Sequence, residues 1–310
     1  MTERPIRIGL VGVGKIARDQ HIPVLSANPA FEIVAAASRH ALLDGVPGYA
    51  SIEAMLAGDH QLDAVAMCTP PHDRFALASA ALRGGCHLLL EKPPGATLSE
   101  VEILADLAAR SGRTLFATWH SRFAPGVEAA RLWLAEHPPR RVRIDWREDV
   151  RHWHPGQEWI WEPGGLGVFD PGINALSIVT TILPKPFFLR GGRLDYPQNR
   201  EAPIAAELQF SDSDDTPIHA SFDWLQTGVQ TWNIHVETDD GVLLLSKGGA
   251  ALRIDGAVVV DEAEREYARI YDHFAQLIAE GRSDVDVSPL RHTADAFLRC
   301  TRRSVDAFES

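Results

Sequence analysis

The sequence is poor in cysteine. It holds three in 310 residues, Cys68, Cys86 and Cys300, and none lies in a CxxC or other metal-ligand spacing. That argues against a disulfide framework or a zinc site and predicts reduced, buried thiols in a cytoplasmic protein. Long apolar runs are also missing. No stretch approaches the roughly 18 to 20 residues that a membrane-spanning helix requires, and MTERP leads straight into a strand pattern with no apolar signal segment. Nor is there a basic excess. The formal charge is −12, with both signs spread along the chain, which disfavours nucleic acid and an anionic membrane surface as partners. Repeats and low-complexity segments are absent. What is present is a hydrophobic share of 45%, enough for full-sized cores, on a length that suggests two domains.

The first 120 residues alternate strand and helix patterns. Apolar strand runs occur at 6–11, 31–37, 62–68, 87–90 and 114–117, and helical stretches at 15–25, 51–56, 73–84 and 99–111. Near-continuous apolar strands separated by helices predict a doubly wound α/β, Rossmann-type parallel sheet covered on both faces. Its ligands bind at the carboxyl ends of the strands. After residue 122 the pattern changes. A helix at 127–137 precedes alternating runs at 142–146, 205–210, 218–224, 232–238, 242–246 and 251–254. A loop enters a helix at 170–183, SDSDD at 211–215 reads as a solvated turn, and helices at 267–280 and 290–308 close the chain. We expect a dinucleotide-binding domain over 1–122. An α+β domain with a large open, mainly antiparallel sheet follows over 123–310, with its last helix free to pack back on the first. An open sheet of that size is expected to cover one face by self-association, giving a homo-oligomer.

GLVGVGKIARDQH (9–21) contains Gly12, Gly14 and Ala17, the G-x-G-x-x-A form of the dinucleotide fingerprint. Gly12 permits the tight turn, Gly14 lets the backbone approach a pyrophosphate, and Ala17 allows close helix–strand packing. The match follows the first strand and opens the first helix, the context that gives it meaning, and places Lys15 and Ile16 beside the cofactor. At the end of the second strand, where an NAD site carries an acidic residue, stand Ser38, Arg39 and His40. A guanidinium suits a 2′-phosphate, so NADP is expected, with NAD as an alternative; Arg39 as a mere surface charge remains open.

The third strand ends in CTPPHDRF, with Thr69, Pro70, Pro71 and His72 beside the cofactor. The fourth runs HLLL into Glu91, Lys92 and two prolines, so a buried strand delivers a lysine to the ligand crevice and stops. In the second domain Asp170 and Asn174 of DPGIN lie four apart, on one face of a helix, although Asp170 also reads as an ordinary helix N-cap. The run 146–161 holds Trp146, Trp153, Trp159 and Trp161 with Glu148, Asp149, His152 and His154. Aromatic faces beside charged hydrogen-bonding groups suit a sugar. No third histidine or carboxylate completes a metal set, so no metal is expected.

GxGxxA, a strand ending in TPP and a strand ending in EKP together resemble the Gfo/Idh/MocA oxidoreductase family over essentially the whole chain. The resemblance implies that Lys92 lies next to the nicotinamide and the reacting carbon, with a Lys-Pro bond that is often cis, and that Glu91 belongs to the cofactor site. The family usually carries D-x-x-x-H where this chain has Asp170 and Asn174. An amide cannot act as a base, so proton removal falls to Asp170 or Lys92. Asp170 is favoured because a carboxylate needs less adjustment to be ionised near neutrality. Lys92 then polarises the reacting oxygen and Asn174 orients the substrate. Within the family, GKIARDQH, EKPPGATL, ATWHS and the long 148–180 stretch are similar to bacterial aldose 1-dehydrogenases. That implies oxidation of the C1 hydroxyl of a galacto-configured pyranose, D-galactose or L-arabinose, in a pocket lined by His120, Glu148, Trp153, His154, Asp170, Asn174 and Trp232. A non-catalytic sugar or NADP sensor on the same fold, or an oxidoreductase for another aldose or polyol, are the alternatives.

Overall fold

The computed structural model describes residues 4–39 and 43–309. They form two compact units, residues 1–120 with 267–287, and residues 121–266 with 288–310. The segment Tyr267–Val287 returns to the first unit.

In the first unit, strands β1 (Ile6–Val11), β2 (Phe31–Ala37), β3 (Gly48–Tyr49), β4 (Ala64–Met67), β5 (His87–Leu90) and β6 (Leu115–Ala117) form one sheet. Its order is β3-β2-β1-β4-β5-β6, and every neighbouring pair is parallel. Leu88, Leu89 and Leu90 are all fully buried, as a strand covered on both faces requires, and each contributes about 2 kcal/mol on apolar burial. Helices Ile52–Leu56, Pro71–Arg83 and Leu98–Arg110 supply Met55, Leu82 and Leu104 to the core on one side. The last of these helices starts at a capping box, Thr97 with Glu100, which satisfies amide groups that would otherwise lack partners. Phe274 from helix Glu266–Glu280 stacks on Phe31 and Phe116 at 6.3 and 6.2 Å. The returning chain then holds the sheet edge through Ala117 N–H to the Asp284 carbonyl, 2.9 Å.

The first helical stretch departs from the expected regular helix. Ala17–His21 forms a π-helical turn before helix Ile22–Ala27. Its extra residue places His21 wholly inside the unit. Such turns recur at functional sites.

The second unit is built on a nine-stranded sheet. It comprises β7 (Pro139–Arg147), β8 (Phe187–Pro197), β9 (Ala205–Asp212), β10 (Pro217–Asp223), β11 (Thr231–Thr238), β12 (Val242–Ser246), β13 (Ala251–Ile254), β14 (Ala257–Asp261) and β15 (Thr301–Val305). The order is β14-β13-β12-β11-β7-β10-β9-β8-β15. Most pairs are antiparallel; β7–β10 and β8–β15 are parallel. Val142, Ile144 and Trp146 of β7 alternate as buried residues with Arg141, Arg143 and Arg147, and Ile218, Ala220 and Phe222 do the same on β10. Helices Val127–Glu136, Phe169–Ile182 and Ser288–Arg299 pack with this sheet. The polar positions form a lattice. Asp145 accepts from Arg143 at 2.8 Å, Arg147 donates to Ser221 at 2.9 Å, Ser221 donates to Glu207 at 2.8 Å, and Asp195 takes both Arg193 and Arg303.

Three expectations are corrected here. The single helix over 290–308 is helix Ser288–Arg299 followed by β15, because TRRSV gains a backbone ladder with β8 that sequence pattern does not reveal. Ser211 and Asp212 belong to β9 and are buried; the turn begins at Ser213, with Asp212 accepting from the amides of Asp214 and Thr216. Cys300 is only half-buried, while Cys68 and Cys86 are buried, and all three are free. Among the described residues no helix is long and apolar enough to cross a membrane.

Candidate active site

In the first unit the carboxyl ends of the parallel strands gather most of the residues expected at the cofactor. After β1, Gly12 sits at φ +90°, and a Cβ there would meet the Thr69 amide nitrogen at 3.0 Å, whereas a Cβ on Gly14 would meet nothing within 4 Å. The first glycine is therefore required by backbone shape and packing, and the second leaves open the space a pyrophosphate needs. Lys15 is exposed and pairs with Asp19; Ile16 is part-exposed. After β2 come Ser38 and Arg39, with Arg39 exposed and 3.3 Å from Asp73. His40 lies outside the described residues. After β4, Thr69 keeps a buried hydroxyl with no hydrogen-bond partner, Pro70 and Pro71 open helix Pro71–Arg83, and His72 sits 3.6 Å from Asp73. An open glycine cradle and an unsatisfied hydroxyl fit a bound dinucleotide.

After β5, the Lys92–Pro93 bond is cis. Glu91 does not face outward. It is buried, and both its oxygens are used: Oε2 accepts the Lys92 amide at 2.8 Å, and Oε1 accepts the Tyr267 hydroxyl at 2.7 Å and meets His21 Nε2 at 3.0 Å. His21 Nδ1 lies 2.6 Å from the Tyr271 hydroxyl. Arg74, itself buried, donates to the carbonyls of Thr69, Glu91 and Pro93. The turn that carries Lys92 is thus tied from below by a buried polar network. Burial opposes the Glu91 carboxylate, yet the hydrogen bond and charge of His21 outweigh it, and the group is held down at about 2. Burial likewise opposes charge on His21, but Cys68, Tyr271 and Glu91 around it hold it well above the ordinary imidazole range. Burial pulls Arg74 down to about 10. His120 stacks on Tyr267, ring centroids 5.7 Å apart.

In the second unit lie most of the residues expected at a sugar. β7 ends at Arg147, and Glu148 follows as a buried carboxylate. Its oxygens accept the indole N–H groups of Trp224 at 3.3 Å and Trp232 at 2.9 Å. Trp232 in turn faces Trp146 and Trp153, at 6.2 and 5.5 Å between centroids. Trp153 is 39% exposed, so this aromatic tier keeps a face open. Asp170 lies inside the first turn of helix Phe169–Ile182, whose N-cap is Val168; the N-cap reading of Asp170 therefore fails. The approach to it needs glycine. Gly167 stands at φ +54°, and a Cβ there would lie 2.3 Å from the Pro203 carbonyl oxygen. One turn on, the Asn174 side-chain oxygen is buried with no hydrogen-bond partner, an acceptor suited to a hydroxyl donor. His154 Nε2 lies 3.3 Å from Asp170 Oδ2. Glu148, Trp153, His154, Asp170, Asn174 and Trp232 all fall in this unit; Lys92 and His120 belong to the other.

His21, Arg74, Tyr267, Tyr271 and Gln157 were not anticipated. His21, Arg74, Tyr267 and Tyr271 are polar side chains with partners distant in sequence, which leave no local pattern, whereas Gln157 meets its near neighbour His154.

A dinucleotide cradle on a parallel sheet with an EKP strand end defines the class: the chain belongs to the Gfo/Idh/MocA oxidoreductase family, NAD-binding Rossmann fold, whose model matches residues 6–118. Over 98% of its length the chain is 48% identical to galactose 1-dehydrogenase of Pseudomonas fluorescens, covering 99% of that protein. The crystal structure of D-galactose-1-dehydrogenase protein from Rhizobium etli superposes with a TM-score of 0.96 at 55% identity, covering 100% of this chain and 99% of that one. KijD10, a 3-ketoreductase from Actinomadura kijaniata solved with NADP and TDP-benzene, shares the fold at a TM-score of 0.84 and 20% identity, over 97% of this chain and 100% of its own.

Proposed function

We propose that the protein is an NAD(P)-dependent aldose 1-dehydrogenase that oxidises the C1 hydroxyl of D-galactose, and of L-arabinose, to the aldonolactone. The observation that carries this reading is the full-length relation to the two galactose dehydrogenases, at 48% and 55% identity. The buried, unsatisfied acceptor of Asn174 one turn from Asp170 and the aromatic tier of Trp146, Trp153 and Trp232 support it. When bound, the dinucleotide supplies the hydride acceptor. In this reading Gly12, Gly14, Thr69 and the strand-end residues hold the dinucleotide. Arg39 and Ser38 favour a 2′-phosphate, since a guanidinium binds one in bidentate fashion. Lys92 polarises the anomeric oxygen, Asp170 takes its proton, and Asn174 accepts a hydrogen bond from a ring hydroxyl. The anomeric hydroxyl is more acidic than an ordinary alcohol, so a carboxylate suffices to begin its deprotonation.

D-galactose and L-arabinose share their ring hydroxyls and differ by one CH₂OH, a difference worth roughly 10- to 200-fold at most. D-glucose inverts C4 and leaves a buried polar partner unpaired. Following NAD(P)H absorbance with each coenzyme and each sugar, we expect turnover of the first two and roughly 5- to 150-fold less with glucose, the size expected from one to three kcal/mol of unmet hydrogen bonding. Equal rates on all three would remove the galacto assignment. Binding of coenzyme with no turnover of any aldose would favour the sensor reading.

We also infer a homo-oligomer formed through the polar side of the nine-stranded sheet, where Asp145 and Asp195 are buried among arginines. An isologous contact there pairs like strands across a two-fold axis. Sedimentation equilibrium is expected to give twice the 34.1 kDa chain mass or a higher multiple, and Arg143→Glu with Arg303→Glu to lower it; a monomeric wild type would refute the interface. The three free cysteines support a reducing compartment and a cytoplasmic location.

A further inference from the structure

Two strand ends of the first unit run into paired prolines. β4 continues through Cys68 into Thr69, Pro70 and Pro71, and β5 into Glu91, Lys92, Pro93 and Pro94. Proline has no N–H, so each turn lacks two of the backbone donors that could tie its carbonyls. A side chain supplies donors instead. Arg74 reaches back from helix Pro71–Arg83 and donates to three carbonyls: Nη1 to those of Glu91 and Pro93, Nη2 to that of Thr69. One guanidinium therefore bridges the turn expected at the coenzyme and the turn that carries Lys92.

Stability alone does not account for an arginine at this position. The residue is only 2% exposed, and taking a charge out of water is unfavourable unless the compensation is complete. It stands near the N-terminus of its helix, where the helix dipole disfavours a cation. Its Nε is buried without a hydrogen-bond partner. Glu91, whose charge favours the guanidinium, has both oxygens engaged by the Lys92 amide, Tyr267 and His21. A residue that breaks several local rules together, with no compensating gain in stability, marks a functional position. What Arg74 does provide is geometry. Its planar fork fixes the directions of its N–H groups, so the two turns cannot shift independently. The Thr69 end of the link reaches the glycine cradle: a Cβ on Gly12 would lie 3.0 Å from the Thr69 amide nitrogen, and the Thr69 hydroxyl is buried without a partner.

We propose that Arg74 is a positioning residue that couples the coenzyme cradle to Lys92, so that ordering the Thr69 turn around a dinucleotide also orders the lysine. It acts through the backbone of the two turns: the Thr69 carbonyl on one side, and on the other the carbonyls of Glu91 and Pro93, which flank Lys92. The kinetic part of the inference rests on the aldose 1-dehydrogenase reading; the coupling itself does not.

The test uses the full-length protein, NADP and D-galactose. Arg74→Met, which keeps a long side chain but no donor, is expected to lower kcat about 100-fold, the effect of misplacing a catalytic group by about an ångström. It is expected to raise the NADP Kd about tenfold, the upper end for one lost hydrogen bond. Arg74→Lys keeps the charge, but one ammonium nitrogen cannot occupy both Nη positions. It is expected to lose about tenfold in kcat and serves where the methionine variant does not fold. A double-variant cycle separates coupling from mere stability. On a Lys92→Ala background there is no lysine left to misplace, so Arg74→Met is expected to change kcat by less than about threefold, while the NADP Kd still rises. Full multiplication of the two losses in kcat would overturn the link to Lys92. Kcat and Kd both within about threefold of wild type, with only a lower Tm, would leave Arg74 as a structural residue. A second arm needs no turnover. Bound NADP is expected to slow hydrogen exchange across residues 88–96 in the wild type, and most of that protection is expected to be lost in Arg74→Met saturated with NADP; equal protection in both would overturn the coupling. If the wild type turns over no aldose, the functional reading fails, and the exchange arm still decides the coupling.

Discussion

Replacing Lys92 with alanine is expected to lower kcat on D-galactose by two to four powers of ten while the NADP dissociation constant stays within about threefold. The magnitude is that of one group acting on a proton or an oxygen in the transition state. The selectivity follows from placement. The β5 strand is buried through Leu90, the Lys92 amide is held by Glu91 at 2.8 Å, and Arg74 holds the carbonyls of Glu91 and Pro93 on either side. Loss of the side chain beyond Cβ leaves those backbone ties, and with them the cradle formed by Gly12, Gly14 and Thr69. Lys92→Arg keeps the charge but not the compact ammonium and is expected to recover little. Steady-state kinetics together with coenzyme binding by fluorescence separate the two effects. Retained turnover in Lys92→Ala would remove the lysine from the chemistry.

Glu91→Ala is expected to act on the fold first. Removing one partner of a buried ion pair costs about 3–5 kcal/mol, because His21 and the Tyr267 hydroxyl lose a shared acceptor in a buried place. For a unit of this size that corresponds to a fall in Tm of roughly 10 °C. The pH dependence has two edges. Glu91 is depressed to about 2 from an ordinary 4.5, so its contribution is complete above 4.5 and is lost as the pH falls towards 2. His21 is raised well above 6.5, so its contribution is complete below 6.5 and is lost as the pH climbs through its folded value. The pair therefore adds most between about 4.5 and 6.5, the window fixed by those two ordinary values. Thermal melts of wild type and Glu91→Ala across pH 3 to 9 are expected to differ most inside that window, with the difference shrinking as the pH falls below 4.5. A constant difference would mean that the network contributes by packing alone.

The doubly wound sheet was legible because its strands are apolar on both faces: VAM in β4 and LLL in β5 admit no other place than a covered core. β3, two residues long, carries no such pattern. In the second unit the alternating strands β7 and β9 to β13 were legible, and the failures have separate causes. In β8, Gly191 and Gly192 sit at a register shift, so the alternation of FFLRGGRLDYP breaks in the middle. β14 is exposed at the sheet edge despite three valines. β15 is almost wholly polar and becomes a strand only because β8 is there to pair with it. The site divides in the same way. Gly12, Lys92, Asp170 and Glu148 announced themselves by motif or composition. The bonds from His21 to Glu91 and from His154 to Asp170 join residues 70 and 16 positions apart, and no spacing rule connects them.

The return of Tyr267–Val287 to the first unit bears on how the chain matures on the ribosome. Tyr267 and Tyr271 complete the buried network of Glu91 and His21, and Asp284 secures the edge strand, yet all three are translated after most of the second unit. The nucleotide-binding half is begun first and finished nearly last. A nascent chain stalled at residue 120 holds six strands and no lid for Phe31 and Phe116. Most of the second half, residues 121–266, emerges between the two pieces of the first, and its own helix Ser288–Arg299 and β15 come after both. The same order limits exchange of parts between relatives: a cassette ending at residue 120 leaves behind the helix that makes it whole.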